Sequence, residues 1–166
     1  CNASENLYQP VMYYWDIECL SIEENVFPTS DKCPVIQISY LVTHGDNELK
    51  RGVLCLNETP GNDIYESFES EAKLLTRFGQ TILEWEPDAL AGFNSNNFDM
   101  PYVIDRMKVL GIHHFASRFT KRKNFCMDYK RYFKSSKQFG TKEVTKYTSY
   151  GFVMFDFFET IKSDVT

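Results

Sequence analysis

At 166 residues, 43% hydrophobic and 16% aromatic, the chain has enough apolar side chain for one packed domain and too much for a disordered one. No apolar run reaches membrane-spanning length and no signal-peptide pattern opens the sequence, so a soluble, intracellular protein is expected, its five scattered cysteines reduced. The net charge of −5 hides a segregation: Arg118 to Lys146 holds ten basic residues and two acids, Asp128 and Glu143, a net of +8 that leaves −13 on the remainder.

The run from Val11 to Cys19 is aromatic and β-branched, broken only by Asp16 and Glu18, and it reads as a buried strand. Side chains two apart on a strand share a face, so the two carboxylates point the same way. Near a core they repel each other and are costly to desolvate, which a divalent metal would relieve. An edge strand with that face in water, or pairing of each acid with Lys or Arg, would explain them as well. Ser21 to Lys32 is a polar loop holding Phe27-Pro28; Phe27 either tucks back on the core or stacks on a base. Pro34 to Val42 and Lys50 to Leu56, joined through His44 to Asn47, complete an antiparallel meander of three strands.

After a breaker at Thr59 to Asn62, Glu71 to Glu86 carries apolar residues on one helical face and stops at Pro87. Asp88 to Phe93 is a short strand, Asn94 to Asn97 a turn, and a helix entered at Pro101 runs to Gly111. Asp99 thus stands at a helix N-terminus beyond a strand, where capping alone would account for it. His113 and His114 fall in a loop. A hairpin about Gly140 and a last strand, Gly151 to Phe158, follow; Asp156 on that strand is either another site acid or a single polar residue of a core strand. Phe119, Phe125, Tyr129, Tyr132, Phe133, Phe139 and Tyr147 punctuate the basic stretch, a pattern that suits a phosphate backbone with stackable bases and equally a solvated hairpin balancing an acidic body.

The order βββ-α-β-α-β, with acids on the first strand and after the fourth, is a ribonuclease-H-like α/β pattern, a mixed sheet with a basic hairpin insertion at about 118–150. Asp16-Ile17-Glu18, Phe27-Pro28 and Val35 to Ser39 resemble the first exonuclease motif of family B DNA polymerases with its flanks. Gly92-Phe93-Asn94 with Phe98-Asp99-Met100-Pro101-Tyr102 and Arg106 resembles the second, usually Gly-Tyr-Asn followed by Phe-Asp-x-Pro-Tyr and an Arg. Glu71 with Leu74-Leu75 resembles the connecting helix, and Gly151 to Asp156 the strand before the third motif. That motif, Tyr-x-x-x-Asp, does not occur after Ala116, so residues 1–166 read as a single, partial, C-terminally truncated domain.

The resemblance implies a 3′–5′ proofreading exonuclease domain of a DNA-directed DNA polymerase, acting in the nucleus or at a viral replication site. It implies Asp16, Glu18 and Asp99 as catalytic ligands of two Mg²⁺ or Mn²⁺ ions, and Phe27, Asn94 and Phe98 as contacts of a single-stranded DNA 3′ end. The partners it implies are DNA and the remainder of the polymerase chain, with no membrane. Without the fourth carboxylate and its water-orienting Tyr, the 166 residues are expected to cleave weakly or not at all; Asp156 and Asp164 are the first substitutes within the chain. A free-standing RNA exonuclease or deadenylase of the same chemistry, or an inactive nucleic-acid-binding module, are the alternatives.

Overall fold

The structure, a computed structural model, describes residues 8–57, 61–122, 125–136 and 140–164. Its centre is a strand, β1 (Val11–Cys19), that alternates faces: Tyr13, Trp15 and Ile17 are buried, and Asp16 and Glu18 are exposed. It pairs antiparallel with β2 (Val35–His44), which turns through Gly45 into antiparallel β3 (Asn47–Leu56), as the alternating pattern predicts. On its other side β1 pairs parallel with β5 (Ala89–Gly92), and β5 pairs parallel with β8 (Val153–Asp156). A four-residue strand, β4 (Tyr65–Phe68), lies parallel along β3, giving a mixed sheet of order β4-β3-β2-β1-β5-β8.

One face of this sheet is sealed by α1 (Glu71–Trp85) and α2 (Asp99–Val109). Ser70 caps α1 by accepting the Lys73 N–H, and the helix lays Leu74, Leu75, Phe78 and Ile82 on Tyr13, Trp15, Ile38 and Leu54. The rings interlock, with Phe78 4.9 Å from Trp15 and Tyr13 stacked on Tyr40 at 5.4 Å. Burying four large apolar side chains from α1 contributes about 1.5–3 kcal/mol each. One-turn α3 (His113–Ala116) closes against α1; Gly79 admits it, since a Cβ there would stand 2.4 Å from the Ala116 carbonyl. The strands β6 (Asp128–Ser136) and β7 (Gly140–Thr148) form a separate antiparallel hairpin.

Four details differ from the sequence reading. β4 was not expected: only Phe68 of its four residues turns inward, and the strand exists by pairing with β3. α2 begins at Asp99, two residues before Pro101, because Pro fits anywhere in a first turn where N–H groups lack partners. His113 and His114 lie in α3 rather than in a loop. The apolar run after Gly151 is a strand only to Asp156, and α4 (Phe157–Asp164) follows, so the segment ends in a helix. Thr59 and Pro60 of the expected breaker lie outside the described residues.

Candidate active site

β1 projects Asp16 and Glu18 from the face opposite its core residues, across from Ser39 and Gln37 of β2, so no cation stands directly opposite them. The β1 ladder toward β5 stops at Tyr14 and Ala91, which leaves the edge of β1 free beyond that point. There the chain turns sharply. Gly92 has no room for a side chain, since a Cβ would stand 2.7 Å from that of Ser95 and 3.0 Å from the Trp15 carbonyl. Asn94 takes the left-handed conformation, φ 57°, and its carbonyl accepts the N–H groups of Asn97 and Phe98. This turn feeds α2 directly, and Asp99 is its first residue.

Asp99 is 3% exposed, and it does not cap its helix: Phe98 is the N-cap and no side-chain cap bond forms. Its own backbone N–H and that of Ile17 on β1 favour the ionised carboxylate. These donors are outweighed. Burial first, then the negative charge of Asp16, push its pKa up from the ordinary 3.8 to about 7, with Asp156 adding to the shift. Asp16 and Asp99, 83 residues apart, therefore feel each other at one edge of the sheet. No Lys, Arg or His among the described residues forms an ion pair with Asp16, Glu18 or Asp99. Glu18 shares the face of Asp16 but is exposed, and the charges that raise Asp99 are those of Asp16 and Asp156.

The loop residue Phe27 is 72% exposed, and its ring meets that of Phe98 edge to face at 5.3 Å. Phe98 in turn lies 5.4 Å from Tyr102, whose hydroxyl donates to the Cys33 carbonyl at 2.8 Å. A short aromatic row thus runs outward beside Asp99. Asn94 contributes chiefly through its backbone, while its side-chain oxygen accepts from the Asn97 amide at 3.3 Å.

Three residues that matter here were not singled out for these roles in the sequence. Asp156, 4% exposed, accepts from the N–H groups of Asn94 at 2.8 Å, Asn96 at 2.9 Å and Phe158 at 3.0 Å, so it holds the turn that delivers Asp99 and starts α4. An Asp directly before a helix is the N-cap signal that could have found it. Tyr147 of β7 donates to the Asn96 carbonyl, and Arg131 of β6 donates to that of Asn97 at 3.4 Å, pinning the hairpin to the same turn. Strand alternation then sends Lys130, Lys134 and Lys146 to the opposite, solvent face. Lys123, Lys137 and the side chains of Lys142 and Asp164 lie outside the described residues.

Residues 3–166 match the family described as DNA polymerase family B, exonuclease domain. The chain belongs to that family. Its relatives include the DNA polymerase delta catalytic subunits of Schizosaccharomyces pombe, 35% identical over 90% of this chain, of Plasmodium falciparum, 33% over 96%, and of Arabidopsis thaliana, 34% over 90%. This family B exonuclease domain spans 14%, 15% and 14% of those proteins' lengths. Domains of this family are metal-dependent in general, and the mixed α/β sheet is that of a ribonuclease-H-like exonuclease domain. Clustered carboxylates are the hard oxygen donors that Mg²⁺ and Mn²⁺ take, and the mutual repulsion of Asp16 and Asp99 is what a cation would relieve. Among the described residues, however, no three His, Cys, Asp or Glu side chains are grouped closely enough to hold a metal ion.

Proposed function

We propose that residues 1–166 form the 3′–5′ proofreading exonuclease unit of a DNA-directed DNA polymerase, with the basic stretch 118–150 as an insertion that guides DNA. The observation that carries this reading is the buried Asp99 carboxyl, raised to about 7 and facing Asp16 without a cationic partner. Such an uncompensated pair at the end of a strand and the start of a helix marks a functional site more often than a structural one.

The roles follow from position. Asp16, Glu18 and Asp99 would hold Mg²⁺ or Mn²⁺. The chemistry such ions supply when bound is activation of a water and neutralisation of charge on phosphorus and on the departing 3′-oxygen. The Ile17 N–H orients the Asp99 carboxylate, and burial keeps competing water from it. Phe27 and Phe98 offer ring faces and edges on which the terminal bases rest, and Asn94 shapes the turn beneath them. The outward cations Lys130, Lys134 and Lys146 lie on a hairpin fastened to that same turn, so they attract the phosphate backbone toward the acids. A frayed or mismatched end enters more easily than a paired one, so selection needs no base reading. The partners proposed are a single-stranded DNA 3′ end and the rest of the polymerase chain, in the nucleus or at a viral replication site. No helix among the described residues is long and apolar enough to cross a membrane.

The test is degradation of 5′-labelled single-stranded DNA in Mg²⁺ or Mn²⁺, with Asp16→Ala and Asp99→Ala as blanks and an RNA strand of the same sequence alongside. Stepwise shortening from the 3′ end that both substitutions abolish supports the proposal. Preferential shortening of RNA points to an RNA exonuclease instead, and cleavage that survives Asp99→Ala removes Asp99 from the site.

A further inference from the structure

A cavity of about 380 Å³ opens at the end of α1, walled by Leu83, Glu86 and Pro87 on one side and by Arg118, Thr120, Lys121, Arg122 and Phe125 on the other. β1 and β5 run parallel, and the Asp88 N–H bonds to the Val11 carbonyl at their starts, beside this cavity. Asp16, Glu18 and Asp99 lie toward the other ends of those strands, so the cavity is separated from the acids by the length of the sheet.

Its apolar floor is the exposed Leu83 and half-buried Phe125, backed by the buried Ile82, Phe119 and Phe152, and none of these side chains carries a hydrogen-bonding group. Its rim is cationic. Arg118 is exposed and forms no ion pair among the described residues. The Arg122 guanidinium lies 4.7 Å from the Phe125 ring centre and 5.5 Å from that of Tyr150, and Lys121 approaches Asp88 only to 4.0 Å. Glu86 is the one acid among the lining residues, and the Thr120 hydroxyl is already spent on the Arg122 carbonyl at 2.9 Å.

We infer that this cavity is a docking site for an acidic segment of a partner protein that presents one bulky aliphatic or aromatic side chain. The apolar floor takes the anchor, and a volume of this size suits a single large side chain with part of its backbone. The three cations take the Asp and Glu residues that flank it, with Arg122 held in place by its two rings before anything binds. A nucleotide fits less well, because the floor has nothing to hydrogen-bond a base edge. The inference does not rest on the exonuclease reading: the cavity's rim belongs to the basic stretch 118–150, but it uses none of the acids Asp16, Glu18 and Asp99, none of Phe27, Asn94 and Phe98, and none of the outward lysines of the hairpin.

The experiment titrates the 166-residue chain with a labelled peptide in which Asp and Glu flank a central Leu, followed by fluorescence anisotropy and backbone amide spectra. Saturable binding is expected, with the shifted amides at Leu83, Thr120, Lys121 and Phe152. Arg118→Glu and Leu83→Asp, both at exposed positions, should each weaken it about tenfold or more, as should replacing the peptide's Leu by Gly. The inference is overturned by no binding, by binding that neither substitution alters, or by equal binding of a peptide with Lys in place of Asp and Glu. It is also overturned if a single-stranded oligonucleotide or a deoxynucleoside monophosphate shifts these amides and the peptide does not.

Discussion

Glu71 at the first turn of α1 and Arg106 in α2 form a buried, two-pronged ion pair, each side chain 7% exposed. The pair is a junction. Glu71 also accepts the Val35 N–H at 2.8 Å, and Arg106 also donates to the Ser30 carbonyl at 3.1 Å, so two helices, the start of β2 and the loop carrying Phe27 meet there. Removing one partner strands the other's charge in the core, which costs about 3–5 kcal/mol. Arg106→Leu should therefore lower the urea midpoint sharply. Adding Glu71→Gln to that variant should recover part of the loss, because no unpaired charge then remains. Equal destabilisation by the single and double variants would mean the guanidinium acts through packing alone.

Asp99 gives the metal-free protein a pH-dependent weakness. Its folded pKa, about 7, lies above its ordinary 3.8, so the folded state holds this proton more tightly than the unfolded chain. The associated stability is full below about pH 4 and is lost as pH rises through 7. At about 1.36 kcal/mol per unit, the ceiling on that loss is about 4 kcal/mol. Asp99→Asn, which keeps an acceptor for the Ile17 N–H, should raise the melting temperature in EDTA at pH 8 and leave it nearly unchanged at pH 4. Mg²⁺ or Mn²⁺ should stabilise the native protein at pH 8 and fail to stabilise the variant.

Phe27 and Phe98 separate binding from folding. Phe27 is 72% exposed, so Phe27→Ala removes little buried surface and should leave the melting temperature within about 0.5 kcal/mol equivalent. Stacking on a base contributes about 1–3 kcal/mol, so single-strand affinity should fall about fivefold to more than a hundredfold. Anisotropy of a labelled oligonucleotide checks the second number and thermal melting the first. A drop in stability with unchanged affinity would return Phe27 to a packing role.

The sequence made the meander, α1 and the shared face of Asp16 and Glu18 readable, because each rests on a local period: alternation for β1 and β2, a one-sided apolar stripe for α1. It left β4 unreadable for the opposite reason. Tyr65-Glu66-Ser67-Phe68 has no strong period, and its strand is imposed by the neighbouring edge of β3. The boundary between β8 and α4 was hidden in an unbroken apolar run, where strand and helix look alike until a cap is recognised. The influence of Asp16 on Asp99 fits an acid near the end of one strand and an acid at the helix start beyond the next, whereas the grip of Asp156, Tyr147 and Arg131 on the turn at 94–97 is a long-range arrangement with no short-range signal beyond one N-cap Asp.

Asp16 and Asp156 are both acids near Asp99, and they should respond to the same substitution in opposite ways. Asp156 is 4% exposed and its two oxygens satisfy three backbone N–H groups, those of Asn94, Asn96 and Phe158. Each donor left without a partner costs about 1–3 kcal/mol, so Asp156→Ala should destabilise the protein by several kcal/mol and loosen the turn that carries Asp99. Asp16 is exposed, makes no ion pair among the described residues, and repels Asp99. Asp16→Ala should therefore leave the fold intact, raise metal-free stability at pH 8, and abolish cleavage. Denaturation and DNA degradation measured side by side on the two variants decide the matter: loss of both fold and activity at Asp156, loss of activity alone at Asp16. An Asp156→Ala protein that melts normally but no longer cleaves would instead make Asp156 a working member of the site, and would supply from within the chain a fourth carboxylate.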